Sequence, residues 1–128
     1  MRRVLVTKRF KFEAAHRLPT MPEGHKCTRI HGHNFKVDVN LLGEVNPADG
    51  MVRDFGEIKT LVNPLIEMLD HHFINEVGEV MDEPLLKVPT TENLVIWFYE
   101  KIKPTIPELY SVIIHETDQN SCEYREDF

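Results

Sequence analysis

The chain has 128 residues, of which 41% are hydrophobic and 28% charged, a composition that predicts one compact domain spanning residues 1–128. Its formal net charge of −6 at pH 7 argues against nucleic acid as the main ligand, because phosphate backbones are bound by dense lysine and arginine. The N-terminus lacks the apolar stretch of a signal peptide and no run approaches the roughly 18 apolar residues of a membrane span, so we expect a cytoplasmic protein without membrane contact.

Alternating apolar residues predict two strands in the first third of the chain. Between residues 4 and 16, apolar side chains such as Phe10 and Phe12 alternate with charged ones, which is the period of two expected of a half-buried strand. The segment 19–29 is polar and contains proline and glycine, so it is too irregular for a strand or a helix. Alternation resumes over residues 35–43 and predicts the second strand.

Helical spacing predicts two helices in the middle of the chain. Asp54, with a glutamate three residues later, is typical of a helix start, and apolar residues then recur at helical spacing as far as Leu69. Thr90 or Thr91 begins a second helix, which a Lys-Pro pair ends. We expect a loop over residues 75–89 between the two helices.

Residues 110–117 and 121–125 predict a final pair of strands. The order strand, strand, helix, helix, strand, strand predicts an α+β fold with one four-stranded antiparallel sheet and two helices packed on one face. The second face of this sheet needs cover, which indicates an oligomer.

Three histidines form the sharpest chemical signal. His31 and His33, at positions i and i+2 on extended backbone, point to the same side of a strand. His16, at the end of the first strand, lies beside them if the two strands are antiparallel neighbours. Three imidazoles leave a fourth tetrahedral position open, which is typical of a catalytic zinc site. The alternative is that some of these histidines are hydrogen-bonded structural residues.

The sequence leaves three roles open for Cys27. It could be a fourth zinc ligand that closes a structural site, an inert buried residue, or a free thiol that acts as a base. Spacing does not separate the ligand from the base. We expect Cys27 and Cys122 to remain unpaired, because a reducing cytosol keeps thiols free.

Two carboxylates are further candidates for chemistry. Asp70 and His71 close the first predicted helix and form either an acid–base pair or a polar helix end that suits the helix dipole. Glu116 is in phase with apolar strand residues, where a lone carboxylate is costly without a partner. That partner is either a ligand with paired N–H donors or an internal arginine.

Basic residues also surround the predicted metal site. They would attract a small anion or form a solvated basic rim, and the sequence favours neither. They are Arg17, His25, Lys26 and Arg29.

Together, these motifs resemble the 6-pyruvoyltetrahydropterin synthase and 6-carboxytetrahydropterin synthase family. The matching segments span nearly the whole chain in family order: residues 12–18, 23–27, 31–33, 69–72, 89–93 and 116–117. The resemblance implies the tunnelling fold, in which subunits join their sheets edge to edge into a barrel. It further implies a homo-oligomer, commonly a hexamer built as a dimer of trimers, with substrate sites at subunit interfaces.

The resemblance also implies roles for the candidate residues. The three histidines would bind Zn²⁺, and Cys27 would be the general base rather than a ligand. Asp70 and His71 would form a relay that handles the other proton. Glu116 would anchor the amino-pyrimidinone edge of a pterin.

The family substrate is 7,8-dihydroneopterin triphosphate, and the three residues between Cys27 and His31 resemble the bacterial carboxy type. The resemblance therefore implies a zinc-dependent lyase that forms 6-carboxy-5,6,7,8-tetrahydropterin and releases acetaldehyde and triphosphate, on the route to queuosine and related deazapurines. One alternative is a 6-pyruvoyltetrahydropterin synthase, and another is a non-catalytic protein with a structural Cys/His zinc site. Residues 78–88 match no family pattern.

Overall fold

A computed structural model describes residues 2–128 and contains one four-stranded antiparallel sheet in the order β1-β2-β3-β4. The strands are β1 (Arg3–His16), β2 (His31–Glu44), β3 (Leu109–His115) and β4 (Ser121–Tyr124). β1 pairs with β2 and β3 pairs with β4, and antiparallel pairing of β2 with β3 joins the two hairpins into one sheet. The predicted sheet is confirmed.

Both predicted helices are present. Helix α1 (Phe55–Leu69) begins after Asp54, whose side chain accepts a hydrogen bond from the backbone N–H three residues later. The second predicted helix is Thr91–Ile102, the last of the four helices and therefore α4. Its cap is Thr90 rather than Thr91, because the Thr90 hydroxyl accepts the corresponding bond from the first turn. This choice leaves the Thr91 hydroxyl free for another partner.

The prediction of a loop over residues 75–89 is wrong, because this segment contains two short helices. They are α2 (Ile74–Val80) and α3 (Pro84–Lys87). Gly78 lets them approach each other, since a Cβ at this position would lie 2.6 Å from the carbonyl carbon of Leu86. Seven and four residues are too few to show a helical period in sequence. No helix within residues 2–128 has the length and apolar character needed to cross a bilayer.

The core lies between the sheet and the helices. Phe12 and Phe35 stack across β1 and β2 with ring centroids 4.8 Å apart, and Phe98 of α4 packs against Phe12 at 5.9 Å. These rings are at most 2% exposed. Burial of each large apolar side chain contributes roughly 1.5–3 kcal/mol. The inward phase of β1 and β2 therefore fixes which way the strand-end histidines point.

The opposite face of the sheet, the open face, is polar. Asp38 of β2 accepts two hydrogen bonds from the Arg9 guanidinium, at 2.6 and 2.9 Å, and its carboxylate lies 3.0 Å from His115 Nε2. The Arg9 guanidinium holds the pKa of Asp38 below its ordinary value. A second row of hydrogen bonds joins Thr7, Asn40 and Ser111. We call Arg9, Asp38 and His115 the open-face network.

Candidate metal centre

The strand register brings the three predicted histidines together. His16 ends β1 and pairs directly with His31, which begins β2, and His33 follows two residues later on the same side. Ring centroids are 4.6 Å apart for His16 and His31, 5.2 Å for His16 and His33, and 5.0 Å for His31 and His33. One ligand nitrogen from each ring lies within 4.8 Å of the other two. The cluster has the dimensions of a metal site.

Two of the rings are oriented by backbone carbonyls. His16 Nδ1–H donates to the Pro89 carbonyl oxygen at 2.8 Å, and His31 Nδ1–H donates to that of Arg29 at 2.8 Å. These bonds place the lone pair on Nε2, which is the usual way in which a metal-binding histidine is held.

The donor set fits a divalent cation. His16 Nε2 is buried and has no hydrogen-bond partner among residues 2–128, an arrangement that costs about 1–3 kcal/mol unless a ligand satisfies it. Burial lowers the pKa of His16, although its bond to Pro89 acts in the opposite direction. Burial also lowers the pKa of His33. Neutral imidazoles are the form that binds a metal, and three of them suit zinc and its transition-metal neighbours.

A cavity of about 710 Å³ opens from this cluster, and we call it the metal-side cavity. His31, His33, Cys27 and Glu116 contribute to its wall. Cys27 lies in a single 3₁₀ turn and is partly buried. Its sulfur is outside the set of ligand atoms that approach one another within 4.8 Å. The thiol therefore faces the same space as the histidines without belonging to their cluster.

Glu116 follows directly after β3, and its side chain is 22% exposed. The Thr91 hydroxyl donates to Glu116 Oε2 at 2.9 Å, and Oε1 lies 3.8 Å from His33 Nε2. The internal partner of Glu116 is thus Thr91. The alternative prediction, an internal arginine, is wrong for the part of the chain that the structure describes. One carboxylate oxygen is fixed by the protein and the other remains available.

The sequence analysis missed the role of residues 89–91. The Pro89 carbonyl orients His16, and the Thr91 hydroxyl holds Glu116. The signal in the sequence was the pair of threonines at the start of α4. Because Thr90 caps the helix, the Thr91 hydroxyl is not needed as a cap and can bind another group. One short segment thus supports both the metal cluster and the carboxylate.

Asp70 and His71 lie just beyond α1 rather than within it. His71 has a φ of +58°, in the left-handed region, and this bend brings its Nδ1 within 3.0 Å of Asp70 Oδ1 although the residues are adjacent. The Glu13 backbone N–H donates to the same Asp70 oxygen at 2.9 Å, and this bond is the main reason that the pKa of Asp70 is lowered. The pair is an oriented histidine–carboxylate couple.

This couple lies away from the metal-side cavity of its own chain. The His71 side chain is 74% exposed, and it lines three other cavities, of about 650, 500 and 460 Å³. The second of these is also lined by His33. The structure therefore places Cys27 and Glu116 in one cavity with His31 and His33, whereas Asp70 and His71 lie outside that cavity.

Comparison with known proteins gives matches along nearly the whole chain. The family model described as 6-pyruvoyl tetrahydropterin synthase matches residues 5–127. A 6-carboxy-5,6,7,8-tetrahydropterin synthase from Synechocystis sp. is 36% identical, over 94% of this chain and 92% of the relative. A human 6-pyruvoyl tetrahydrobiopterin synthase is 33% identical, over 94% of this chain and 90% of the relative.

A solved structure gives the same answer for the fold. The 6-pyruvoyl tetrahydropterin synthase of Caenorhabditis elegans superimposes with a TM-score of 0.86 at 32% identity, covering 98% of this chain and 96% of that one. The relative named as a 6-carboxy synthase and the relative named as a 6-pyruvoyl synthase thus have similar sequence identity to this chain, 36% and 33%. Overall similarity alone does not separate the two reactions.

Proposed function

The chain belongs to the 6-pyruvoyl tetrahydropterin synthase family, and we propose that it converts 7,8-dihydroneopterin triphosphate to 6-carboxy-5,6,7,8-tetrahydropterin. The reaction consumes one water and releases acetaldehyde and triphosphate. The observation that carries the proposal is the metal-side cavity, whose wall holds Cys27 and the half-fixed Glu116 carboxylate beside two imidazoles of the three-histidine cluster. A site with these groups can polarise an oxygen, remove a proton and hold a heterocycle.

The proposed metal is zinc, held by His16, His31 and His33. Its support is the unpartnered, buried His16 Nε2 and a ligand set of three imidazoles, which leaves one coordination position for substrate. Zinc bound there supplies Lewis-acid polarisation of the substrate's side-chain oxygens. The backbone bonds to His16 and His31 hold their rings in the orientation that binding requires.

Cys27 is the proposed general base, which removes a proton from the substrate side chain. Its position on the cavity wall, outside the cluster of ligand nitrogens, favours a base over a fourth ligand. Glu116 is the proposed anchor for the pterin. Since Thr91 holds only one of its carboxylate oxygens, the other can accept from the N–H donors of the amino-pyrimidinone edge.

Asp70 and His71 are the proposed relay for the second proton, and we propose that they act in the active site of a second subunit. They lie away from the metal-side cavity of their own chain, so they would act in the site of a neighbour. The sheet ends in two edge strands, β1 and β4, and joining such edges between copies would close a barrel. We propose a homohexamer, a dimer of trimers, in the cytoplasm, where a reducing environment suits two free cysteines.

Incubation of the zinc-loaded protein with 7,8-dihydroneopterin triphosphate tests the proposal. We expect 6-carboxy-5,6,7,8-tetrahydropterin by mass spectrometry and acetaldehyde in equal amount. Triphosphate release without acetaldehyde would instead identify the pyruvoyl reaction. That reaction is the second candidate because the human pyruvoyl relative is almost as similar to this chain as the carboxy relative is. If neither product forms, the catalytic proposal fails. Cys27 that resists alkylation until zinc is chelated would then indicate a structural metal site.

A further inference from the structure

Two basic residues line the metal-side cavity without a role so far. Lys26 begins the 3₁₀ turn that carries Cys27 and Arg29 follows it, and both belong to the cavity wall. Both side chains are exposed. In residues 2–128, neither has a carboxylate oxygen within 4.0 Å of its charged group. The cavity therefore carries two positive charges that form no ion pair with residues 2–128.

The second basic cavity of the sheet is different. Arg9 and Lys36 line a space of about 210 Å³ on the open face, but both have acidic neighbours there. Arg9 is bound by both oxygens of Asp38, and Lys36 Nζ lies 3.9 Å from Asp118. An anion entering that space would compete with carboxylates already paired to both cations. At the metal-side cavity the one carboxylate on the wall, Glu116, is bound by Thr91 and is not within 4.0 Å of Lys26 or Arg29.

The backbone that carries Lys26 and Arg29 is tied to the metal cluster. The Arg29 carbonyl accepts the bond from His31 Nδ1, and the Arg29 N–H donates to the Lys26 carbonyl at 3.1 Å. The Leu18 N–H donates to the Cys27 carbonyl at 2.7 Å. These bonds fix the origin of both basic side chains relative to the thiol and the histidines. The charges are thus held beside the reacting end of the site.

We propose that Lys26 and Arg29 form a polyphosphate-binding subsite, which holds the substrate's triphosphate while Glu116 holds the pterin. This inference rests on the proposed function. Guanidinium binds phosphate oxygens in pairs and lysine acts as a point charge, so together they suit a flexible chain of phosphates. When the carbon–oxygen bond to the triphosphate breaks, its electron pair passes to the departing oxygen. The pair therefore stabilises both the bound substrate and the leaving group.

The test uses the zinc-loaded wild-type oligomer and the double variant Lys26→Gln/Arg29→Gln, with inorganic triphosphate as the probe in calorimetry. Loss of each charged contact should weaken binding about tenfold, so loss of both should weaken it about 100-fold, and the wild-type affinity should fall as salt rises. Lys59→Gln and Arg3→Gln, which remove exposed charges elsewhere, serve as matched controls and should bind as wild type does. Circular dichroism and zinc content check that each variant is intact.

Initial rates supply the second readout. The double variant should show a KM for 7,8-dihydroneopterin triphosphate raised about tenfold or more, and Arg29→Lys should retain part of the affinity that Arg29→Gln loses. Unchanged triphosphate affinity in an intact double variant would overturn the inference, as would weakened binding in Lys36→Gln instead. If the wild type binds triphosphate through this pair but turns over no pterin, the proposed function fails and the subsite stands.

Discussion

Two clusters that contain histidine lie on opposite faces of the same sheet, and they differ in whether their polar atoms have partners. In the open-face network, Arg9 and His115 occupy both oxygens of Asp38. In the metal centre, His16 is buried, but its Nε2 has no hydrogen-bond partner in the part of the chain that the structure describes. The contrast shows that histidine content alone does not identify a functional site.

The difference has an energetic meaning. A buried polar group that is paired contributes modestly to stability, whereas an unpaired one costs about 1–3 kcal/mol until something binds it. The open-face network therefore needs no ligand, and the metal centre does. Substitutions in the open-face network should change stability and leave zinc content and turnover unchanged, whereas substitutions in the metal centre should reduce zinc content and turnover.

The largest effect is expected for His31→Ala. It removes one of three ligand nitrogens, so the zinc content should fall to background and turnover by at least about 10³-fold. The matched control on the open face is His115→Gln, which should keep both. Zinc by mass spectrometry and circular dichroism on the same preparations provide the check. Stoichiometric zinc in a folded His31→Ala protein would refute the ligand assignment.

Cys27→Ala should keep its zinc, because the three histidines still hold it. Turnover should fall by about 10²–10⁴-fold, the size of a lost general base, or roughly 3–5 kcal/mol of barrier. Zinc content and initial rate are measured together. Low zinc with activity restored by excess metal would instead make Cys27 a ligand.

A smaller effect is expected for Thr91→Val, which removes the hydrogen bond to Glu116 with little change in volume. The freed carboxylate should hold the pterin less well, so KM should rise about tenfold with zinc content unchanged. Thr91→Ser keeps the hydroxyl and should recover most of the affinity. Equal KM values for the Val and Ser variants would mean that Thr91 does not support the anchor.

The smallest effect on the reaction is expected for Asp38→Asn, which should leave turnover and zinc unchanged. Its effect is on stability. The Arg9 guanidinium holds the pKa of Asp38 below 3.8, so the ionised carboxylate stabilises the native state at pH values above 3.8. That contribution is lost as the pH falls through the lower, folded-state pKa. Because Arg9 is half exposed, we expect only about 1–2 kcal/mol at neutral pH.

Urea titrations of wild type and Asp38→Asn across pH measure this difference. The two free energies of unfolding should converge in acid and separate above the pKa of the unfolded carboxyl group. A gap that widens as the pH falls would contradict the assignment of the open-face network as a stabilising ion pair.

The sheet could be predicted from sequence because its signal is local. Phe10 and Phe12 alternate with charged residues, and that period fixes the inward face of β1 without knowledge of its neighbours. The same phase, carried to the strand end, places His16 beside the histidines of β2. A metal site built on paired strands is therefore visible in sequence.

The remaining features depend on tertiary contacts that no local pattern shows. Helices α2 and α3 pack closely only because Gly78 lacks a side chain. The rule that adjacent residues on a helix do not face each other does not apply to Asp70 and His71, because both lie beyond the end of α1. The left-handed backbone at His71 lets the two side chains meet. The support of Glu116 by Thr91 joins residues 25 positions apart.

X-ray absorption at the zinc edge of the wild-type protein tests the central claim most directly. We predict one zinc per subunit with only nitrogen and oxygen neighbours at about 2.0–2.1 Å, supplied by His16, His31, His33 and solvent. This result would mean that Cys27 remains free to act as a base. A sulfur neighbour at about 2.3 Å would place Cys27 on the metal, and the absence of stoichiometric zinc would contradict the metal centre itself.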